Sequence, residues 1–201
     1  MTNGRPERAD AARNRRAILR ATEELLTRQH PEQISMEQVA AAAGVGKGTV
    51  FHRFGSRMGL MRALIEDRAM ALHEAVTTGP PPLGPGAGAQ ERLLAFLDGI
   101  VDVVARNKGL LAALGHAVAT AQRPDGEPRN DHPVYRFWHR HITELLVEVR
   151  PDLDADLAAH ILLATLNSDP ILLLLEQGES ERLAHALRTW VTALLAAPTA
   201  G

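Results

Sequence analysis

The chain has 201 residues, a formal net charge of -2 and 45% hydrophobic residues, which is enough for a folded core and excludes wholesale disorder. Aromatic residues make up only 3%, and alanine and leucine dominate, which favours packed helices over a β-sandwich. The absence of cysteine excludes disulfides, thiolate metal sites and cysteine nucleophiles. Residues 1–68 hold 12 Lys/Arg against 8 Asp/Glu, whereas residues 69–201 hold 10 against 16. A basic front on an acidic body is expected when only the front meets a polyanion, although a moderate charge split also arises by chance.

The apolar runs are too short or too interrupted for a signal sequence or a membrane span. The first 16 residues are charged and lack an apolar core. The most apolar stretch, Leu157–Leu175, is broken by polar residues and Pro170, whereas a span needs roughly 20 apolar residues. We therefore expect a soluble, cytoplasmic protein without a membrane partner.

The first third of the chain predicts short helices in close succession. One apolar stripe at helical spacing consists of Ile18, Ala21, Leu25 and Leu26. His30-Pro31 is predicted to end that helix. Ser35 is the expected N-cap of a helix that runs to Ala43, and Gly44 is the expected stop. A second short helix, Lys47–Phe54, follows almost at once, and Ser56 is predicted to cap a long helix after it.

The rest of the chain also follows the helical period. A connector, Thr77–Gly88, ends the first module, and a second loop is predicted at Gln122–Asp131. Apolar stripes at helical spacing surround and follow these loops: Leu93, Leu97, Ile100, Val101 and Val104, then Val134, Trp138, Ile142, Leu145 and Val149. Two further helices are expected at about Asp154–Gln177 and Ser180–Ala197. No stretch alternates with period two, so the sequence predicts an all-α protein.

Two short helices joined by a tight glycine-containing turn describe a helix-turn-helix, in which the second helix enters the major groove of DNA. Val50 and Phe54, four residues apart, are expected to anchor that second helix to the core. The residues left on its outer side are Lys47, Thr49, Phe51, His52 and Arg53. Gly46 and Gly48 lower helix propensity but allow the backbone to approach phosphates closely.

The stretch Ser35–Phe54 resembles the signature of TetR/AcrR-family regulators: a capped helix that ends in Ala-Gly-Val, then a small residue, a basic residue, Gly-Thr and an aromatic-rich close. The resemblance covers about residues 12–72. It implies an N-terminal three-helix DNA-binding domain and a C-terminal helical ligand-binding and dimerisation domain, with about nine helices in all. The expected divisions are a flexible tail over 1–11, the helix-turn-helix domain over 12–72 and the C-terminal domain over 85–197.

The resemblance also implies a set of DNA contacts. The helix N-terminus at Ser35 and the side chain of Arg57 would contact phosphate. The residues at the DNA face would be Gly46, Lys47, Gly48, Thr49, Phe51, His52 and Arg53. Phe51 stands where the family often has tyrosine and cannot donate that hydrogen bond to phosphate, so we expect Arg53 and Arg57 to take a larger share.

The resemblance implies a small-molecule effector and a homodimer as well. The candidate effector residues are Phe96, His116, Trp138, His141 and Asn167, for which ordinary core and surface roles are the alternative. The polar break that begins at Asn167 and ends at Pro170 indicates either a ligand-facing site or a helix boundary. The last two helices, with the stripe Leu183, Leu187, Trp190, Val191 and Leu194, are expected to pair with their copies. Two recognition helices must meet major grooves about 34–36 Å apart, which requires a dimer. The protein is expected to be a repressor released from a palindromic operator.

Other functional readings fit the sequence poorly. Gly44–Thr49 lacks the spacing of a phosphate-binding loop, because Ala41 and Gly48 stand at required positions. Asp152–Asp156 starts like a calcium loop but lacks the required glycine and closing glutamate, so capping of a helix explains it better. His139 and His141 lie on different helix faces, and no metal site, cofactor or catalytic residue is predicted. The remaining alternative is a helical binding module or enzyme whose DNA-binding function is lost.

Overall fold

The computed structural model describes residues 4–113, 132–166 and 168–197. Within these ranges the chain forms nine α-helices and a short 3-10 turn, Pro31–Gln33, with no strand, which confirms the all-α prediction. The helices are α1 Gly4–Leu26, α2 Met36–Ala42, α3 Lys47–Phe54, α4 Arg57–Thr78, α5 Ala89–Ala113, α6 Pro133–Val149, α7 Ala155–Leu166, α8 Asp169–Glu176 and α9 Ser180–Ala196. The predicted loop Gln122–Asp131 lies outside the described residues.

Helix α1 begins earlier than predicted and ends close to its predicted terminator. It begins at Gly4, inside the stretch 1–11 for which the sequence predicts a tail. It ends at Leu26, yet helical backbone bonding continues until the Gln29 amide donates to the Leu25 carbonyl at 3.0 Å. The next residues are His30 and Pro31, and His30 is extended, as expected before a proline. The predicted terminator therefore acts as expected, a few residues beyond the last regular turn.

The described residues form two compact units, the first of which extends to Asp67. Its core consists of side chains with at most 5% exposure from all four helices and the 3-10 turn's C-cap: Ile18, Leu19, Ala21, Ile34, Met36, Val39, Ala40, Val50, Leu60, Met61 and Leu64. Arg15 of α1 binds Asp67 of α4 through an ion pair of 2.8 Å. Burial of each large aliphatic side chain contributes about 1.5–3 kcal/mol to the free energy of unfolding of this small bundle.

The second unit begins at Arg68. The loop between α4 and α5 lies close to the predicted connector, since α4 ends at Thr78 and α5 begins at Ala89, but the boundary between the two units falls earlier, within α4. Phe96, Ile100, Ile142 and Leu146 are fully buried at the centre of its core.

The predicted helix Asp154–Gln177 is two helices, α7 and α8. The break lies at Ser168, which is extended, and Pro170 stands in the first turn of α8. Proline lacks the N–H that would continue the α7 ladder, so the polar stretch at Ser168–Pro170 is a helix boundary. By length and composition, no single described helix qualifies as a membrane span, and α7 and α8 pass that test only as a pair bent by 49°.

Polar side chains fix helix ends in the second unit. The Asp154 carboxylate accepts a hydrogen bond of 3.0 Å from the Leu157 amide and caps α7, which confirms the capping interpretation of this acidic stretch. Arg150 is buried, pairs with Asp152 at 2.7 Å and donates to the Ala197 carbonyl at 3.1 Å. A cation at this place stabilises the C-terminal carbonyls of α9.

Candidate nucleic-acid interface

The short helices α2 and α3 pack against each other, and α1 packs against α2. Ser35 caps α2 as predicted: its hydroxyl oxygen accepts from the Gln38 amide at 3.1 Å, and the Gln38 side chain accepts from the Ser35 amide at 2.8 Å. Gly44 has a φ of 67°, a left-handed value that strains other residues, and it reverses the chain into α3. These local features fix the turn of the helix-turn-helix.

Helix α3 has a buried side and an exposed side. Val50 is fully buried and Phe54 is half-buried, so Val50 is the main anchor. The predicted DNA-facing residues fall on the other side: Gly46, Lys47, Gly48, Phe51 and His52 are exposed, and Thr49 and Arg53 are half-buried. Phe51 is 39% exposed although it is a large aromatic residue. The sequence-predicted residues therefore share one accessible surface, which we call the α3 face (Gly46–Arg53 without Val50).

Lys47 contacts one side chain of α2 and one side chain of its own helix. Its ammonium forms an ion pair with Glu37 of α2 and lies 5.5 Å from the centre of the Phe51 ring. The hydrogen bond from Lys47 holds the pKa of the Glu37 carboxyl below its usual value. Sequence reasoning identified Lys47 and Phe51 but missed Glu37. Its place in the first turn of α2, ten residues before Lys47, is the only sequence signal for it.

The predicted phosphate contacts Ser35 and Arg57 each have an internal role. The oxygen of Ser35 caps α2, which leaves its O–H hydrogen as a donor. The Arg57 guanidinium donates to the Glu32 carbonyl at 2.7 Å and ties the 3-10 turn to the start of α4. A guanidinium has five N–H donors, so this bond leaves others for an anion.

Gly48 has no reason inside the protein to be glycine. Its φ is not positive, and a Cβ built on it would have no neighbour within 4 Å. A Cβ on Gly46 would only touch the Thr49 hydroxyl at an ordinary 3.8 Å. Glycine lowers helix propensity by about 1 kcal/mol relative to alanine. Gly46 is the N-cap of α3, where glycine is favoured, whereas nothing in the described part of the protein accounts for glycine at position 48.

Gly59 is a structural requirement that sequence reasoning missed. A Cβ at this position would collide with the carbonyl oxygen of Phe54, the last residue of α3. The Gly59 amide also donates to the Ser56 hydroxyl at 3.1 Å, which confirms Ser56 as the cap of α4. Gly59 thus lets α4 begin directly against the end of α3 and sets the position of the α3 face.

A pocket of about 360 Å³ lies within the second unit. Its lining combines apolar and charged side chains from α4, the connector, α5 and α6: Val76, Thr77, Pro85, Arg92, Phe137, Arg140, His141 and Glu144. This volume is within the range of small-molecule sites. Arg140 stands 5.9 Å from the Phe137 ring centre and 3.8 Å from the Glu144 carboxylate.

The structure separates the predicted effector residues. His141 lines the pocket. Phe96 is fully buried behind it, with its ring 4.8 Å from that of His141, and Trp138 belongs to the core. The core interpretation thus holds for both aromatic residues. His116 and Asn167 lie outside the described residues. Sequence reasoning did not identify Arg92 and Arg140 as pocket residues, because it searched for apolar residues at helical spacing and arginine is not apolar.

Two lining residues carry buried polar atoms that have no hydrogen-bond partner among the described residues, Nε of Arg92 and Nε2 of His141. Burial, and then the nearby Arg92 and Arg140 charges, lower the pKa of His141 to about 4. The imidazole is therefore neutral at physiological pH. A buried polar group without a partner costs about 1–3 kcal/mol, so a ligand that satisfies these atoms gains affinity.

The predicted dimer stripe on α9 is mostly internal. Leu183, Leu187 and Val191 belong to the core of the second unit, whereas this stripe was predicted from the sequence to pair with a second copy. Trp190 remains 51% exposed and Leu173 of α8 remains 54% exposed. The last two helices therefore present fewer apolar side chains to a partner than the sequence suggests.

Comparisons with known proteins agree with this architecture. Residues 18–64 match the family described as bacterial regulatory proteins, tetR family. The HTH-type transcriptional regulator BetI of Escherichia coli is 33% identical over 88 residues, which cover 44% of this chain and 45% of that protein. The match thus spans about half the length of this curated relative.

Solved structures show the same fold over nearly the whole chain. A chain described as a TetR-family transcriptional regulator from Rhodococcus sp. has a TM-score of 0.59 at 18% identity, and the match covers 92% of this chain and 100% of that one. The fatty acid degradation regulator FadR from Bacillus halodurans has a TM-score of 0.53 at 17% identity, with 90% and 93% covered. Residues 18–64, which contain the helix-turn-helix, therefore match the tetR family, and the described helices share the fold of these solved regulators.

Proposed function

We propose that the protein is a cytoplasmic, homodimeric repressor that binds a palindromic operator through the α3 face and leaves it when a small molecule occupies the second unit. One observation carries the proposal: α3 exposes Lys47, Gly48 and His52 on a helix that Val50 anchors rigidly. Such a surface has no packing role, and its small and polar character suits the major groove.

The ion pair between Lys47 and Glu37 indicates how binding begins. Both side chains are more than half exposed, so the pair is weak and is readily exchanged for a phosphate. When Lys47 turns to DNA, the Glu37 carboxylate is left near the polyanion and opposes binding. Arg53 and Arg57 would supply further phosphate contacts, while Thr49 and His52 reach base edges.

The effector is proposed to bind in the pocket of the second unit. Arg92 and Arg140 supply hydrogen-bond donors to the lining, the neutral His141 supplies a ring nitrogen, and Val76 and Phe137 supply apolar surface. This arrangement suits a small organic anion with an apolar body. An effector that favours the non-binding state by a few kcal/mol is sufficient to release DNA.

The operator experiment measures binding of purified protein to the DNA upstream of its own gene and to a random duplex of equal length, over a range of salt concentrations. Specific binding should be at least about 10³-fold tighter, with a steep loss of affinity as salt rises. Equal affinity for the two duplexes would contradict the proposal and favour a binding module without DNA function, whose only sequence support is phenylalanine at position 51.

Charge variants test the α3 face in both directions. Lys47→Ala should weaken operator binding by about tenfold and reduce the salt slope. Glu37→Gln should strengthen it by about two- to fivefold, because it releases Lys47 and removes a negative charge from the interface. Arg182→Ala is the matched control, since Arg182 is a mostly exposed cation on α9. If Arg182→Ala weakened operator binding as much as Lys47→Ala does, net charge rather than the α3 face would control binding.

The effector experiment compares molecules that share one body and differ in their head group: 4-phenylbutyrate, its uncharged amide and 4-phenylbutylamine. The carboxylate alone should raise the melting temperature of the protein, and Arg92→Gln should abolish that rise. Stabilisation by all three compounds, or stabilisation that survives Arg92→Gln, would contradict an anionic effector at this pocket.

A further inference from the structure

A second group of polar side chains, away from the pocket lining, lies where α6 packs against α7. His139 comes from α6, and Asp156 and His160 come from α7. One possible ligand atom of each lies within 4.8 Å of the others. The Nε2 atom of His139 is 3.5 Å from Asp156 Oδ1, and the Nε2 atom of His160 is 4.0 Å from Asp156 Oδ2.

The helical register explains why these groups meet. Asp156 and His160 are four residues apart and therefore share one face of α7. On α6, Tyr135 and His139 are also four residues apart, and their rings are stacked with centres 6.2 Å apart. The rings of His139 and His160 have centres 4.0 Å apart. Each helix thus presents two polar side chains to the same place.

Tyr135 gives His160 a defined orientation. Its hydroxyl shares a hydrogen bond of 2.6 Å with His160 Nδ1. When Nδ1 donates in that bond, Nε2 carries the lone pair and faces the Asp156 carboxylate. Histidines that bind metals almost always have their other nitrogen held by such an outer partner. This bond is a second observation, independent of the three ligand atoms, that points to a metal.

From this geometry we propose that His139, Asp156 and His160 bind a first-row transition-metal dication, with Zn²⁺ as the best match, and that the metal cross-links α6 to α7. Two imidazoles and one carboxylate suit zinc, cobalt and nickel, whereas magnesium and calcium require oxygen ligands. The half-exposed position leaves room for water as a further ligand. The site does not depend on the proposed operator or effector.

The direct test uses isothermal titration of the full chain with ZnCl₂ and visible spectroscopy with CoCl₂. We expect one metal per chain, a rise in melting temperature with Zn²⁺, and cobalt ligand-field bands of a site with nitrogen and oxygen ligands. Ca²⁺ and Mg²⁺ at the same concentration should neither bind at this stoichiometry nor raise the melting temperature. The proposal is overturned if the metals do not bind, or if Ca²⁺ binds as tightly as Zn²⁺; the cluster is then only a set of polar contacts between α6 and α7.

Three variants and one control assign the site. Asp156→Asn preserves the shape of a side chain that is 73% exposed and should weaken Zn²⁺ binding at least tenfold without unfolding the protein. His160→Ala should abolish the cobalt bands. Tyr135→Phe removes only the bond to His160 and should weaken binding about 10- to 100-fold, as loss of an outer partner does. His185→Ala removes an exposed histidine of α9 and should change nothing. Equal zinc binding by Asp156→Asn and the wild type would refute the assignment.

Discussion

Replacement of Gly48 by alanine should separate folding stability from DNA binding. The residue lies in the first turn of α3, its φ is not positive, and an added Cβ meets no atom within 4 Å. Alanine at such a position restricts the unfolded chain and favours the helix, which stabilises a protein by about 0.4–1 kcal/mol. For a chain of this size we expect the melting temperature to rise by about 1–4 °C.

The same methyl group should weaken operator binding. It projects from the α3 face toward the surface at which we place DNA, and an extra methyl at a close-packed contact costs about 1–3 kcal/mol. This free energy corresponds to a loss of about 5- to 150-fold in affinity. The assays are thermal unfolding followed by circular dichroism and operator binding followed by fluorescence anisotropy, with the same protein preparation.

Two glycine variants serve as controls for Gly48→Ala. Gly88 is exposed, lacks a positive φ and also has open space at its Cβ, so Gly88→Ala should leave operator affinity unchanged. Gly44 has a φ of 67°, so Gly44→Ala should destabilise the protein by about 1–2 kcal/mol. A Gly48→Ala protein that binds DNA as the wild type does would refute close backbone approach at this position. A lower melting temperature would refute the claim that the site is sterically open.

Three further predictions test the remaining parts of the structure. The pKa of His141 is 6.5 in the unfolded chain and about 4 in the folded protein. Below pH 6.5 the unfolded state therefore binds more protons, and the free energy of unfolding should fall by about 2 kcal/mol between pH 7.5 and pH 5. Urea unfolding should show a smaller loss for His141→Phe, and an equal loss would contradict this assignment. Trp190→Glu should convert the proposed dimer to a monomer, as measured by light scattering. Val147→Glu, at an equally exposed apolar site on α6, should leave the dimer intact. A dimer that survives Trp190→Glu would place the interface elsewhere. Gly59→Ala should lower the melting temperature by several degrees because its Cβ collides with backbone, and a wild-type melting temperature would show that α4 has room to shift.

Much of the first unit could be predicted from local sequence. Ser35, Gly44 and Ser56 act within a few residues of themselves, as caps or as a turn, so composition and spacing identify them. The anchor Val50 follows from helical periodicity alone. The exception is Gly59, whose requirement comes from a carbonyl oxygen of the preceding helix. No local sequence pattern predicts how close that carbonyl oxygen lies to Gly59.

The second unit was harder to predict because its sites are assembled from distant segments. Helical periodicity indicated which side chains are apolar but not which neighbour covers them. The stripe on α9 therefore suggested a partner chain for Leu187 and Val191, which in fact complete their own core. Phe96 and Trp138 were likewise candidates for a pocket and lie in or behind the core.

The sequence by itself determined the helical class, the caps and turn of the helix-turn-helix and the side chains that α3 presents, since each depends on contacts between near neighbours in the chain. Only the tertiary structure decided that Glu37 holds Lys47, that Arg92 and His141 share a pocket, and that His139 meets Asp156 and His160. These contacts join residues that are ten to fifty positions apart in the chain, so they depend on how the helices pack against each other. A given helical periodicity is compatible with several ways of packing the helices, and the fit of the side chains in the core selects one of them.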